Sequence, residues 1–124
     1  MKFKVNRNIL LEYLKSMEKI VPKDTPLEEL KGFLVEANED DGHLYLTANN
    51  LKTAVIRKFE AGIESGGSFV MNAKRLTHIV SVAGSEDMEF EEVRKGVIGI
   101  TAGTCVYRLP VLDSSKYPRT EIPF

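Results

Sequence analysis

Six basic side chains could act together if the fold brings them to one surface: Arg7, Lys15, Lys19, Lys23, Lys74 and Arg75. Their chemistry is charge attraction. Ammonium and guanidinium groups neutralise phosphates without reading bases, which gives contact that is salt-sensitive and indifferent to sequence. Residues 7–23 hold four of these cations against Glu12 and Glu18, and residues 72–84 hold two with no acid. Each stretch therefore carries +2 in a chain whose net charge is −1, which leaves −5 for the rest. Much of that excess lies in Glu36, Glu39, Asp40 and Asp41, and in Glu86, Asp87, Glu89, Glu91 and Glu92.

Other chemistries lack their parts. The single cysteine, Cys105, cannot form an internal disulfide, and its apolar-alternating surroundings read as a half-buried small residue. A nucleophile needs a base beside it, and the two histidines, His43 and His78, sit in no catalytic motif. They also fall short of a zinc set. Glu89 and Glu91 alternate with Met88 and Phe90, so they belong to the solvent face of a strand. No glycine-rich phosphate loop is present. The expectation is no catalytic residue, no metal and no cofactor. Tyr13 is the only aromatic in the two basic stretches, so no stacking platform for single strands is expected. No apolar run reaches the length of a membrane span, and the polar start, Met1-Lys2-Phe3-Lys4, does not suit a signal peptide. The expected location is the cytoplasm, with no membrane partner.

The elements that must position the cations come in two similar series. Lys2 to Val5 alternates as a strand, Asn6 is an N-cap, and Leu10, Leu14, Met17 and Val21 recur at helical spacing over about Arg7 to Ile20. Strands follow at 32–37, 43–47 and 53–59, divided by turns at Glu39-Asp40-Asp41-Gly42 and Asn49-Asn50. Gly66-Gly67 separates the halves. Ser68 to Met71 is then a strand, and Asn72 caps a helix over 73–83 with Leu76, Ile79, Val80 and Ala83 as its stripe. Strands at 87–91, 97–101 and 104–109 complete the second series. Two amphipathic helices need a surface to bury their stripes, and eight mostly antiparallel strands provide one. The fold class is α+β, a duplicated β-α-β-β-β with two helices on one face of antiparallel sheets. At 124 residues it is one domain: 1–62 and 66–112 are the halves, and 113–124 is a tail or linker.

Residues along nearly the whole chain resemble one family. They are Met1-Lys2-Phe3 with Val5 and Arg7, Leu10-Leu11, Gly32-Phe33-Leu34, and Leu44-Tyr45-Leu46-Thr47-Ala48-Asn49-Asn50-Leu51. The second half adds Gly67, Phe69-Val70, Ala73-Lys74, Tyr107, Leu109 and Tyr117-Pro118. The chain resembles the N-terminal domain of the bacterial DNA polymerase III beta subunit, the sliding clamp. The resemblance implies a ring of such domains around double-stranded DNA, with helices lining the hole and strands outside. It implies that the strand 104–109 is an edge for a neighbouring protomer, with Tyr107 and Leu109 at the interface. It also implies that Lys23 lies in a DNA-touching loop, although Thr25-Pro26-Leu27-Glu28-Glu29-Leu30 departs from the family there. Polymerase and clamp loader would be held by domains absent from this chain. The alternative is a freestanding clamp-like module that binds protein through the same edge and does not encircle DNA.

Overall fold

The computed structural model describes residues 1–118. The elements run β1 (Lys2–Asn6), α1 (Arg7–Met17), β2 (Gly32–Asn38), β3 (His43–Asn49), β4 (Ala54–Glu60), β5 (Gly62–Ser65), β6 (Gly67–Asn72), α2 (Ala73–Val82), β7 (Asp87–Arg94), β8 (Val97–Ala102) and β9 (Cys105–Pro110). Two antiparallel sheets form, ordered β5-β1-β7-β8-β9 and β4-β3-β2-β6. The α+β architecture with two helices over antiparallel sheets is therefore as expected.

Three details differ from the reading of the sequence. A ninth strand, β5, occupies the stretch taken as the gap between halves, and pairs with the free edge of β1 (Phe3 opposite Ile63). Flanking glycines and a single large apolar residue hide it. Second, α1 ends at Met17 and continues as one 3₁₀ turn, Glu18–Ile20, before Val21-Pro22. Tightening of a last turn is common at helix ends. Third, Cys105 is exposed, because it begins an outermost strand beside a hairpin turn.

The halves exchange their first strands. β1 lies beside β7 of the second half, and β6 lies beside β2 of the first. A three-ring hub fastens the exchange: Phe3 stacks on Phe90 at 4.9 Å and Phe69 lies 6.5 Å from Phe90. Both helices bury their stripes in this same core, through Leu10, Leu14 and Met17 of α1 and Leu76, Ile79 and Val80 of α2. At about 25 cal/mol per Å² of apolar surface, such burial dominates the stability of the fold. Gly32 makes the exchange possible at one point, since a Cβ there would lie 2.6 Å from the Met71 carbonyl oxygen.

Residues 112–118 strap the other face of the second sheet. Leu112 exchanges backbone hydrogen bonds of 2.8 and 3.2 Å with Val70, and Tyr117 is buried with Leu30, Leu34 and Val70. Both faces of β2 and β6 are thus covered, which explains their unbroken apolar runs. Asn49 donates from Nδ2 to the Pro118 carbonyl at 3.0 Å. Burial pushes the Tyr117 phenol up to about 12. Of the expected tail 113–124, residues 113–118 pack onto the domain, and 119–124 lie outside the described residues.

Candidate nucleic-acid interface

The two helices begin alike. Asn6 accepts from the Ile9 amide and Asn72 from the Arg75 amide, each at 3.1 Å. Such caps satisfy one of the orphan donors of a first turn and contribute about 1 kcal/mol each. They fix where the cations project, because each helix starts directly from a strand whose register is set by the aromatic hub.

The helices lie side by side in opposite directions. The C-terminal end of α1 and the turn after it face the start of α2 across a cleft of about 710 Å³. Lys15, Lys19, Lys23, Lys31 and Lys74 line it together with Glu18, Val21, Pro22, Asn72 and Ala73. Five cations thus converge against one carboxylate. Lys31 is partly neutralised by Glu28 at 3.3 Å, but Lys15, Lys19, Lys23 and Lys74 have no ion-pair partner among the described residues. The first turn of α2 holds Lys74 and Arg75 and no acid. A helix N-terminus favours anions there, so two cations raise the local positive potential further. Arg75 is exposed on the same turn without lining the cleft.

Arg7 does something else. Its Nε donates to the Val80 carbonyl at 2.8 Å, its Nη2 to the Ser81 carbonyl at 2.6 Å, and its Nη1 to Asn8 Oδ1 at 3.0 Å. The guanidinium closes the C-terminus of α2, where carbonyls lack helical partners and the dipole is negative. Beside the expected DNA-facing role of Arg7 stands this geometry: each of its three nitrogens donates one hydrogen bond within the domain.

The strand side treats cations differently from the cleft. Lys2 lies between Glu64, Glu89 and Glu91 at 3.8, 3.4 and 3.8 Å, and these acids, Glu89 first, raise its pKa. Asp41 accepts from the Tyr45 hydroxyl, which lowers the acid and raises the phenol. Among the described residues no group of three or more metal-ligating side chains comes together.

Two further basic residues reach the helix side without having been singled out. Lys31 belongs to the cleft, and Arg57 of β4 sits 5.1 Å over the Tyr13 ring. Alternation in β4 carries the signal for Arg57, since it shares a face with buried Phe59.

The family model described as DNA polymerase III beta subunit, N-terminal domain, matches residues 1–121. The chain belongs to this family. Among similar proteins, the beta sliding clamp of Chlamydia pneumoniae is 27% identical over 118 residues, covering 95% of this chain and 32% of the relative. The beta sliding clamp of Buchnera aphidicola is 28% identical over 120 residues, with the same coverage. The solved beta subunit from DNA polymerase of Streptococcus pyogenes superposes with a TM-score of 0.91 at 18% identity, over 98% of this chain and 33% of that one. A sliding clamp from Caulobacter crescentus gives 0.88 at 24%, over 98% and 33%. These structures share the fold, and the chain spans about a third of the length of its relatives.

In this clamp-family domain the sequence-derived cations divide. Lys15, Lys19, Lys23 and Lys74 meet at one cleft with Arg75 beside it, and Arg7 lies at the far end of the helix pair. β9 is the outermost strand of its sheet. Tyr107 and Leu109 are half-buried against the core, whereas Val106 on the opposite face is 61% exposed. At the exit of β9 a groove of about 460 Å³ is lined by Val93, Arg94, Val97, Arg108, Leu109 and Pro110. No described helix is long and apolar enough to cross a membrane.

Proposed function

We propose that this domain is an arc of a ring-forming sliding clamp, a non-catalytic processivity factor that encircles duplex DNA for a replicative polymerase. Its helix side faces the phosphates. The observation that carries the reading is the convergence of Lys15, Lys19, Lys23 and Lys74, without ion-pair partners among the described residues, on one cleft. Arg75 extends this surface.

Contacts to phosphate hold no register along a duplex, so a ring built this way is retained by topology and slides. One domain binds weakly, and linked copies of the same surface strengthen one another. The protomer interface uses the unpaired edge of β9, where Tyr107 and Leu109 leave part of their apolar surface for a partner strand. Polymerase and clamp loader engage parts of the assembly outside this chain. The expected compartment is the cytoplasm, where chromosomal replication takes place in bacteria.

The test is duplex binding followed against salt for the native chain and for Lys15→Glu/Lys19→Glu/Lys74→Glu/Arg75→Glu. Loss of binding with an unchanged melting temperature supports the reading. Undiminished affinity in the variant rejects the helix side as the DNA face. A second reading, a protein-binding module that never encircles DNA, draws on the same free β9 edge and its exposed Val106. It predicts that Val106→Lys abolishes partner capture while the fourfold charge reversal does nothing.

A further inference from the structure

We propose that Arg57 is a further phosphate-contacting residue of this domain, supplied by a strand; the inference rests on the reading of the helix side as the DNA face. β4 is the outermost strand of its sheet. Its alternation directs Val55, Arg57 and Phe59 toward α1, with Phe59 buried in the main core. Tyr13 of α1 lies against both of the last two. Its ring centroid is 5.1 Å from that of Phe59, and the Arg57 guanidinium sits 5.1 Å above its own centroid.

This prop has two consequences. A ring face attracts the cation without cancelling its charge, so Arg57 keeps a full positive charge available to a second partner. The planar guanidinium is also held in place before any ligand arrives, which lowers the ordering cost of binding. Arg57 is exposed, and no described carboxylate lies within ion-pair distance of it. Glu12, next to Tyr13 on α1, does not pair with it.

The adjacent residue supplies an internal control. Lys58 points to the other side of the pleat, 6.0 Å over the Tyr45 ring and near Asp41, which Tyr45 also contacts. Arg57 and Lys58 thus carry the same charge, one residue apart, on opposite faces. A bound duplex distinguishes them only if the helix side is the binding side.

The experiment is a salt titration of fluorescence anisotropy on a labelled duplex with the native chain, Arg57→Gln, Lys58→Gln and Lys74→Gln, with thermal melts to verify folding. Arg57→Gln is expected to weaken binding about 3–10-fold and lower the slope of log K against log salt by about one, as Lys74→Gln does. Lys58→Gln should change neither. Tyr13→Leu, which keeps the charge and removes the prop, should weaken binding less and leave the slope intact. If Arg57→Gln behaves like Lys58→Gln while Lys74→Gln weakens binding, the Arg57 contact is overturned and the cleft stands. If Arg57→Gln weakens binding and Lys74→Gln does not, Arg57 stands and the cleft falls. Absence of duplex binding by the native chain at the lowest salt overturns both.

Discussion

The two ends of the helix pair are both basic, and their charges do opposite things. At one end Arg7 reaches across from the first turn of α1 and binds the last carbonyls of α2. At the other, four lysines surround a cleft with no described ion-pair partner. Hydrogen bonding to unpaired helix carbonyls separates the cases. Arg7 donates to carbonyls at the end of α2 and is drawn into the structure, whereas Lys15 and Lys19 at the C-terminal end of α1 and Lys74 at the start of α2 make no described ion pair and are left for an external anion. Positive charge on a helix is therefore no measure of binding until its geometry is known.

The largest effect that tests this contrast is on DNA affinity. Reversing Lys19 and Lys74 together should reduce duplex affinity about 100-fold or more at low salt, with stability changed by less than about 0.5 kcal/mol. An anisotropy titration and a melting curve on the same sample decide it, and a large loss of stability would show that these lysines are not free. Arg7→Met should do the reverse. Leaving two helix carbonyls without their donor is expected to cost about 2 kcal/mol in chemical denaturation, with the salt slope of DNA binding unchanged. A slope lowered by about one would return Arg7 to the DNA face.

The caps sharpen the comparison at smaller magnitude. Asn6→Ala and Asn72→Ala should each cost about 1 kcal/mol, because both remove one bond to a first-turn amide. Only Asn72→Ala, at the cleft, should also alter duplex affinity.

The smallest effect concerns the strap, which is remote from both ends. Burial raises the Tyr117 phenol from 10.0 to about 12. The folded state then holds a proton that the unfolded chain releases, so this contribution is full below about pH 10 and is lost as pH rises toward about 12. Tyr117→Phe keeps the ring and loses the phenol's hydrogen bonds to the Thr47 carbonyl at 3.5 Å and with the Asn49 backbone. It should cost under about 1 kcal/mol at neutral pH, flatten the alkaline fall in melting temperature, and leave DNA binding untouched.

Much of this was legible in the residues. Asparagine caps before apolar residues at helical spacing pointed to both helix starts, and alternation with turn residues to eight of the nine strands among the described residues. Four of the five cleft lysines were legible as a charge bias of the two helical stretches, and Lys31, outside both, was not. The internal hydrogen bonds of Arg7 were not legible, because its spacing is that of any exposed first-turn cation and the carbonyls it meets lie 73 and 74 residues away. β5 was missed because its hydrogen bonds depend on the free edge of β1, and residues 113–118 because Tyr117 finds its pocket only after β2 and β6 pair.

The sequence by itself determined the local events: caps, periods, turns, the acidic and basic halves of the charge, and the family likeness carried by short motifs. These depend on interactions within a few residues of one another. Only the tertiary structure decided which first strand joins which sheet, which cations meet at the cleft, which one is bound internally, and that Arg57 rises beside Tyr13. Those outcomes depend on contacts between residues far apart in the chain, and a side chain's charge is free or engaged only once its neighbours are fixed.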